Sequence, residues 1–132
     1  MDTKQVCIAL VGAGYAAFLH GNGYKKGCGV PVRLKTIVDI DISKAEANCY
    51  PCGFEQARAE FHAILADPEI DVVDLVTPPF LLADMVEKAC RAGKHVICEK
   101  RPVGYNGRPG DEKPIGLKVP KPVMFKEVMV DL

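Results

Sequence analysis

Val11-Gly12-Ala13-Gly14-Tyr15-Ala16-Ala17 is the stretch on which the fold turns. It follows Gln5–Val11 (QVCIALV), a short apolar run with β-branched residues that reads as a buried strand. It opens onto Tyr15–Gly23 (YAAFLHGNG), which carries helix formers and closes in a Gly/Asn cluster. A strand, a tight glycine turn and a helix in direct succession begin a strand–helix–strand unit.

The pattern repeats downstream. Arg33–Asp39 (RLKTIVD) reads as a second strand, polar at its start and apolar at its end. Ser43 with Glu46 has capping-box spacing. It predicts a short helix over Lys44–Cys49 that stops before Pro51 and Gly53. Glu60–Leu65 reads as another short helix, and Asp71–Val76 (DVVDLV) as a third strong strand. After Thr77-Pro78, apolar residues Leu82, Met85, Val86, Ala89 and Cys90 recur at helical spacing up to a stop at Gly93. His95–Cys98 (HVIC) is a fourth strand. Alternating strands and helices, with strands apolar along their length, predict an α/β fold with a doubly wound, mainly parallel sheet. Residues 102–121 are rich in Gly, Pro and charge and show no period, with Ile115, Leu117 and Val119 as candidate anchors. The last segment, Pro122–Leu132, places Phe125, Val128, Met129 and Leu132 on one helical face.

The same turn carries the chemistry. Gly12 to Ala17 fits G-x-G-x-x-G/A. Gly12 allows the turn out of the strand, Gly14 lets backbone approach a pyrophosphate, and Ala17 permits close helix–strand packing. Ala13, Tyr15 and Ala16 complete the loop and the helix start, where free N–H groups and the dipole favour an anion. Asp39 ends the second strand 22 positions after Ala17. There a carboxylate can accept both hydroxyls of an adenosine ribose, and its charge repels a 2′-phosphate. Ile40, not Arg, follows it. The expected cofactor is therefore NAD rather than NADP. Asp41 either helps hold the adenosine end or only caps a helix. Thr77-Pro78 ends the third strand on the sheet edge where ligands bind, so Thr77 lines the cleft, caps the helix, or does both. Glu99-Lys100 leaves the fourth strand on that edge. Lys100 either reaches the nicotinamide end or belongs to a surface charge cluster.

The chain has 132 residues, enough for one core. Lys plus Arg and Asp plus Glu number 17 each, so the net charge is zero. That argues against nucleic acid or an anionic membrane as partner. No run is long enough to span a bilayer, and the polar N-terminus does not read as a signal peptide. The six cysteines are then expected reduced, in the cytoplasm. Cys49-Tyr50-Pro51-Cys52 closes a helix and contains Pro, so it reads as structural rather than redox-active. No metal site is expected. His20 reads as a packing or hydrogen-bonded residue, and His62 as exposed.

The glycine turn, His20, Asp39, LADPEIDVVDLVTPP (Leu65–Pro79) and AGKHVICEK (Ala92–Lys100) together resemble the N-terminal Rossmann domain of the Gfo/Idh/MocA family of oxidoreductases. The resemblance covers roughly residues 5–104. It implies an NAD(P)-dependent dehydrogenase acting on a sugar, polyol or related hydroxyl compound. It also implies that Lys100, of the family's E-K-P element, serves substrate and nicotinamide as the catalytic lysine, with Glu99 beside it. Arg101 stands where the family has Pro, and no His follows Thr77-Pro78 in Phe80-Leu81-Leu82. The family's α+β substrate domain, source of further catalytic groups and of much of the dimer interface, has no counterpart in these residues.

The expected organisation is a dinucleotide-binding core over 1–104, then an irregular segment and the start of a helix over 105–132. Such a chain is expected to bind cofactor but not turn over by itself. It is also expected to self-associate through an unpaired sheet edge. The alternative is a non-enzymatic dinucleotide-binding module, a redox sensor or partner subunit.

Overall fold

The computed structural model describes residues 4–102 and 107–131. Eleven elements follow one another among them. They are β1 (Val6–Val11), α1 (Tyr15–Lys26), β2 (Val32–Val38), α2 (Ile42–Cys52), β3 (Gln56–Arg58), α3 (Phe61–Leu65), β4 (Val72–Leu75), α4 (Pro79–Arg91), β5 (His95–Cys98), α5 (Ile115–Lys118) and α6 (Lys121–Asp131). The five strands form one sheet in the order β3-β2-β1-β4-β5, and every pairing is parallel. The order reverses beside β1, whose neighbours are β2 and β4. A crevice at the carboxyl ends of strands forms at such a switch point.

The alternation of side chains along β1 explains the two layers. Cys7, Ala9 and Val11 face a core built with Val73 and Leu75 of β4, Ile64 of α3, and Leu82 and Ala89 of α4. Leu10 faces the opposite core with Ile37, Ala17 of α1, and Ala45 and Cys52 of α2. Both faces of β1 are thus covered, as its unbroken apolar run requires. Gly21 of α1 lies so close to α2 that a Cβ there would stand 2.8 Å from Cys52 Cβ. This is a contact only glycine admits. Leu10, Ile37, Leu75 and Leu82 are completely buried.

Several expectations need correction. Asp41, not Ser43, caps α2: its carboxylate accepts the Ser43 N–H at 3.1 Å. The helix does not stop before Pro51 but runs to Cys52, with Gly53 left-handed at φ 84° behind it. Pro51 falls in the last turn, where a missing N–H costs one hydrogen bond only. α1 continues three residues past Gly23. β3 has no counterpart in the expected elements. It is three residues long, includes Gln56 and Arg58, and owes its form to pairing with β2. Within the irregular stretch α5 forms a short helix, whose Leu117 is exposed, while Val119 just beyond it is buried. The apolar face expected over 122–132 is only partly in place. Phe125 and Met129 are exposed, Val128 is half-buried, and Leu132 lies outside the described residues.

Candidate functional site

β1, β2, β4 and β5 run the same way, so their carboxyl ends share one edge of the sheet. The glycine turn leaves β1 there. Gly12 has φ +102°, and a Cβ on it would stand 3.0 Å from the carbonyl carbon and oxygen of Val76. Its N–H donates to Val38 O at 2.7 Å, so the turn is pinned between the ends of β2 and β4. Gly14 is different. Its φ is −87°, and a Cβ there would meet nothing within 4 Å. It opens α1 with no side-chain cap, and Tyr15 beside it is exposed. The helix start therefore carries backbone N–H groups that no side chain caps, an anion seat in chemical terms. Ala17 is fully buried against the sheet, and Ala16 is half-buried.

Asp39 is oriented by backbone on both sides. Oδ2 accepts the Ala13 N–H at 2.9 Å, and Oδ1 accepts the Asp41 N–H at 2.9 Å. Each carboxylate oxygen keeps a lone pair for a further donor. Asp41 acts chiefly as the α2 cap described above. The Ala13 carbonyl is held in turn by Asn48 Nδ2 at 3.0 Å, from α2. The Ala13 peptide is therefore clamped on both sides, a role that sequence reading missed for Asn48. Ile40 is 93% exposed, an aliphatic surface in water beside Asp39.

Thr77 is half-buried at the end of β4. Its hydroxyl donates to Met85 Sδ at 3.4 Å, and α4 begins at Pro79 with Pro78 as N-cap and no side-chain cap bond. The capping role considered for Thr77 is thus not the one it plays.

Glu99 follows β5. Its Oε1 lies 2.9 Å from His20 Nε2, and its Oε2 accepts the Lys100 N–H at 3.3 Å. These hydrogen bonds, the His20 one foremost, hold the Glu99 carboxyl below its usual range. Lys100 and Arg101 are exposed. His20 is hydrogen-bonded as expected, with Nδ1 2.8 Å from Asp74 Oδ2. Asp74 itself was not foreseen. It is completely buried in β4, and its Oδ2 also takes the Tyr24 hydroxyl at 2.6 Å. Burial first, and then that bond to a carboxylate, push the Tyr24 phenol well above its ordinary range. The signal was present as one acid inside the apolar run Val72-Val73-Asp74-Leu75, since a buried carboxylate needs a partner. His62 and His95 are exposed. All six cysteines are free thiols, with Cys52 fully buried. Among the described residues no group of His, Cys, Asp and Glu has the arrangement of a metal site, and no helix is long and apolar enough to cross a membrane.

Known proteins share this layout. A family model described as an oxidoreductase family with an NAD-binding Rossmann fold matches residues 6–106. An uncharacterized protein of Saccharomyces cerevisiae is 51% identical over 104 residues, covering 75% of this chain and 29% of that one. Levoglucosan dehydrogenase of Pseudarthrobacter phenanthrenivorans is 34% identical over 104 residues, covering 74% and 26%. A solved structure of levoglucosan dehydrogenase in complex with NADH superposes with a TM-score of 0.64 at 28% identity, covering 75% and 28%. The chain thus spans less than a third of the length of each of these relatives. A parallel sheet reversing beside β1, a glycine turn at its head and a match over residues 6–106 together make this chain a member of the Gfo/Idh/MocA oxidoreductase family, through its NAD-binding Rossmann domain.

Proposed function

We propose that this chain is the dinucleotide-binding part of a dehydrogenase that moves hydride between a nicotinamide cofactor and a sugar, polyol or related hydroxyl compound. Residues 1–104 act as the binding unit, and 105–132 lead away from it. The observation that carries the reading is the paired cradle: an uncapped helix start at Gly14 beside an Asp39 carboxylate held by two backbone amides.

The residues present fit the cofactor. Gly12, Ala13, Gly14, Tyr15, Ala16 and Ala17 form the pyrophosphate seat. The free lone pairs of Asp39 suit the ribose hydroxyls, and its charge disfavours a 2′-phosphate, so NAD is preferred to NADP. Ile40 lends the adenine an apolar surface. Thr77, Pro78 and Glu99 border the nicotinamide end. When bound, the nicotinamide supplies the hydride acceptor or donor. Lys100 Nζ shares the proton of the substrate hydroxyl, easing its loss or stabilising the developing alkoxide.

By itself the 132-residue polypeptide binds NAD(H) and turns over little. The free thiols suit a reducing, cytoplasmic setting. Among the described residues β5 is the last strand on its side of the sheet, and Ile97 on it is exposed, which favours self-association through that edge. Light scattering tests this, and a strictly monomeric species overturns it. Calorimetric titration with NAD and NADP tests the main reading. Absence of binding of either at millimolar concentration overturns it, and a preference for NADP overturns the role of Asp39.

A further inference from the structure

His20 reaches from α1 to two carboxylates on different strands. Nδ1 stands 2.8 Å from Asp74 Oδ2 in β4, and Nε2 stands 2.9 Å from Glu99 Oε1 after β5. Both partners are acceptors. A neutral imidazole owns one N–H and one bare lone pair, so it can donate to only one of them. Its lone pair would then face the other carboxylate. The imidazolium donates to both. Asp74 is completely buried, and its Oδ1 has no hydrogen-bond partner among the described residues. The basic side chain hydrogen-bonded to this buried acid is His20.

Three further groups stand beside the two carboxylates. Tyr24, on the same helix, donates to Asp74 Oδ2. Lys100 donates its backbone N–H to Glu99 Oε2. Cys98 of β5 sits near both carboxylates, its thiol pushed up by burial and then by Asp74 and Glu99. Burial opposes charge on His20, but its hydrogen bonds to Asp74 and Glu99 prevail and raise it above the usual histidine value.

We propose that His20, as the imidazolium, is a positioning residue that ties the Glu99–Lys100 segment to buried Asp74 and thereby sets the grip on the nicotinamide end of the cofactor. This rests on the dinucleotide reading above. The sign of the pH effect follows from the raised folded value. The tie is complete below the unfolded histidine value of about 6.5 and is lost as pH rises through the folded one. The site thus grips more loosely in alkaline solution, with no change at the adenosine end.

Two measurements on the full chain test this. The first follows the His20 ring protons and the Glu99 and Lys100 amides by NMR from about pH 5 to about pH 9, which spans the histidine range. The ring should titrate above about 6.5, both amides should follow the same curve, and Glu99→Gln should lower the ring value. A ring that titrates at or below that value, or amides that ignore it, overturns the proposal. The second compares NADH with ADP-ribose, which lacks the nicotinamide. His20→Gln should weaken NADH binding roughly fivefold at low pH, flatten its pH dependence, and leave ADP-ribose unchanged. Equal NADH affinity in variant and wild type overturns the positioning role and leaves the cofactor reading standing. A wild type that binds neither ligand overturns the cofactor reading and the grip with it, while the titration still decides the tie.

Discussion

Replacing Gly12 with Ala should damage the fold, whereas the same change at Gly14 should spare the fold and damage binding. At Gly12 two costs combine. The φ of +102° lies where a Cβ is strained, worth about 1–2 kcal/mol. The new methyl would also stand 3.0 Å from Val76 carbonyl atoms, which are backbone and have no rotamer to yield. Val76 N–H is bonded to Val11 O at 2.9 Å, so neither side can move without loosening the β1–β4 junction. Overpacking of this kind costs about 1–3 kcal/mol. The total of about 2–5 kcal/mol is a large share of the roughly 5–15 kcal/mol that holds a domain together. Gly14 carries neither cost, since its φ is −87° and a Cβ there meets nothing within 4 Å. Losing glycine at the helix N-cap is offset by the stiffer unfolded chain, which leaves stability within about 1 kcal/mol. The methyl would nevertheless take up open space beside the α1 start, and NAD affinity should fall at least about tenfold. Urea unfolding followed by circular dichroism reads the first effect, as a midpoint lowered by about 1–3 M in Gly12→Ala. Calorimetry reads the second. A Gly12→Ala midpoint equal to wild type would refute the packing argument. Undiminished NAD binding by Gly14→Ala would refute the pyrophosphate seat.

Other outcomes follow from single contacts. Tyr24→Phe removes a 2.6 Å bond to the carboxylate of buried Asp74 and should cost about 1.5–3 kcal/mol in urea unfolding. Leu82→Ala opens a cavity between α4 and the sheet, since Leu82 is completely buried, and should cost about 3–5 kcal/mol in the same assay. Acid should destabilise the chain through Asp67 and Asp71. Lys35 holds Asp67 down, and the Cys7 N–H holds Asp71 down, both below the ordinary 3.8. A depressed folded value means stability that is present above 3.8 and lost as pH falls through it, so unfolding midpoints should drop steeply below about pH 4. Asp71→Asn should flatten that drop, and an unchanged slope would count against the assignment.

The fold was legible because all its strands are parallel and the central ones, β1 and β4, are buried along nearly their whole length. Gln5–Val11 and Asp71–Val76 betray themselves as unbroken apolar runs, and Gly12 and Gly14 mark the turn by residue type alone. What escaped depends on distant partners. β3 is a strand only because β2 lies beside it. The α2 cap was half legible: Asp41 is a candidate cap in the sequence, but the Ser43–Glu46 spacing points two residues too far on. It is Asp41 that is extended at φ −89° and accepts the Ser43 N–H. The candidate site divides the same way. The glycine turn and Asp39 lie on one strand–helix–strand unit and could be read in order. The His20–Asp74–Glu99 bridge joins α1, β4 and the end of β5, and only the folded sheet brings them together. The Asn48 clamp on Ala13 is equally non-local.

The placement of β1 between β2 and β4 has a kinetic consequence. Ile8 pairs with Val72 and Val11 with Leu75, partners made long after β1 itself. During synthesis β1 emerges first and must wait, half-paired, until β4 has cleared the ribosome. In that interval Ala9 and Val11 lack Val73 and Leu75 to pack against. The β1–β4 seam at the centre of the sheet therefore closes long after β1 is made, and only the β4–β5 edge closes later. Sheets dominated by such distant pairings fold more slowly than helical bundles and expose apolar strand edges meanwhile. Slowing translation after β2 should therefore lengthen the period in which this chain is most prone to aggregate.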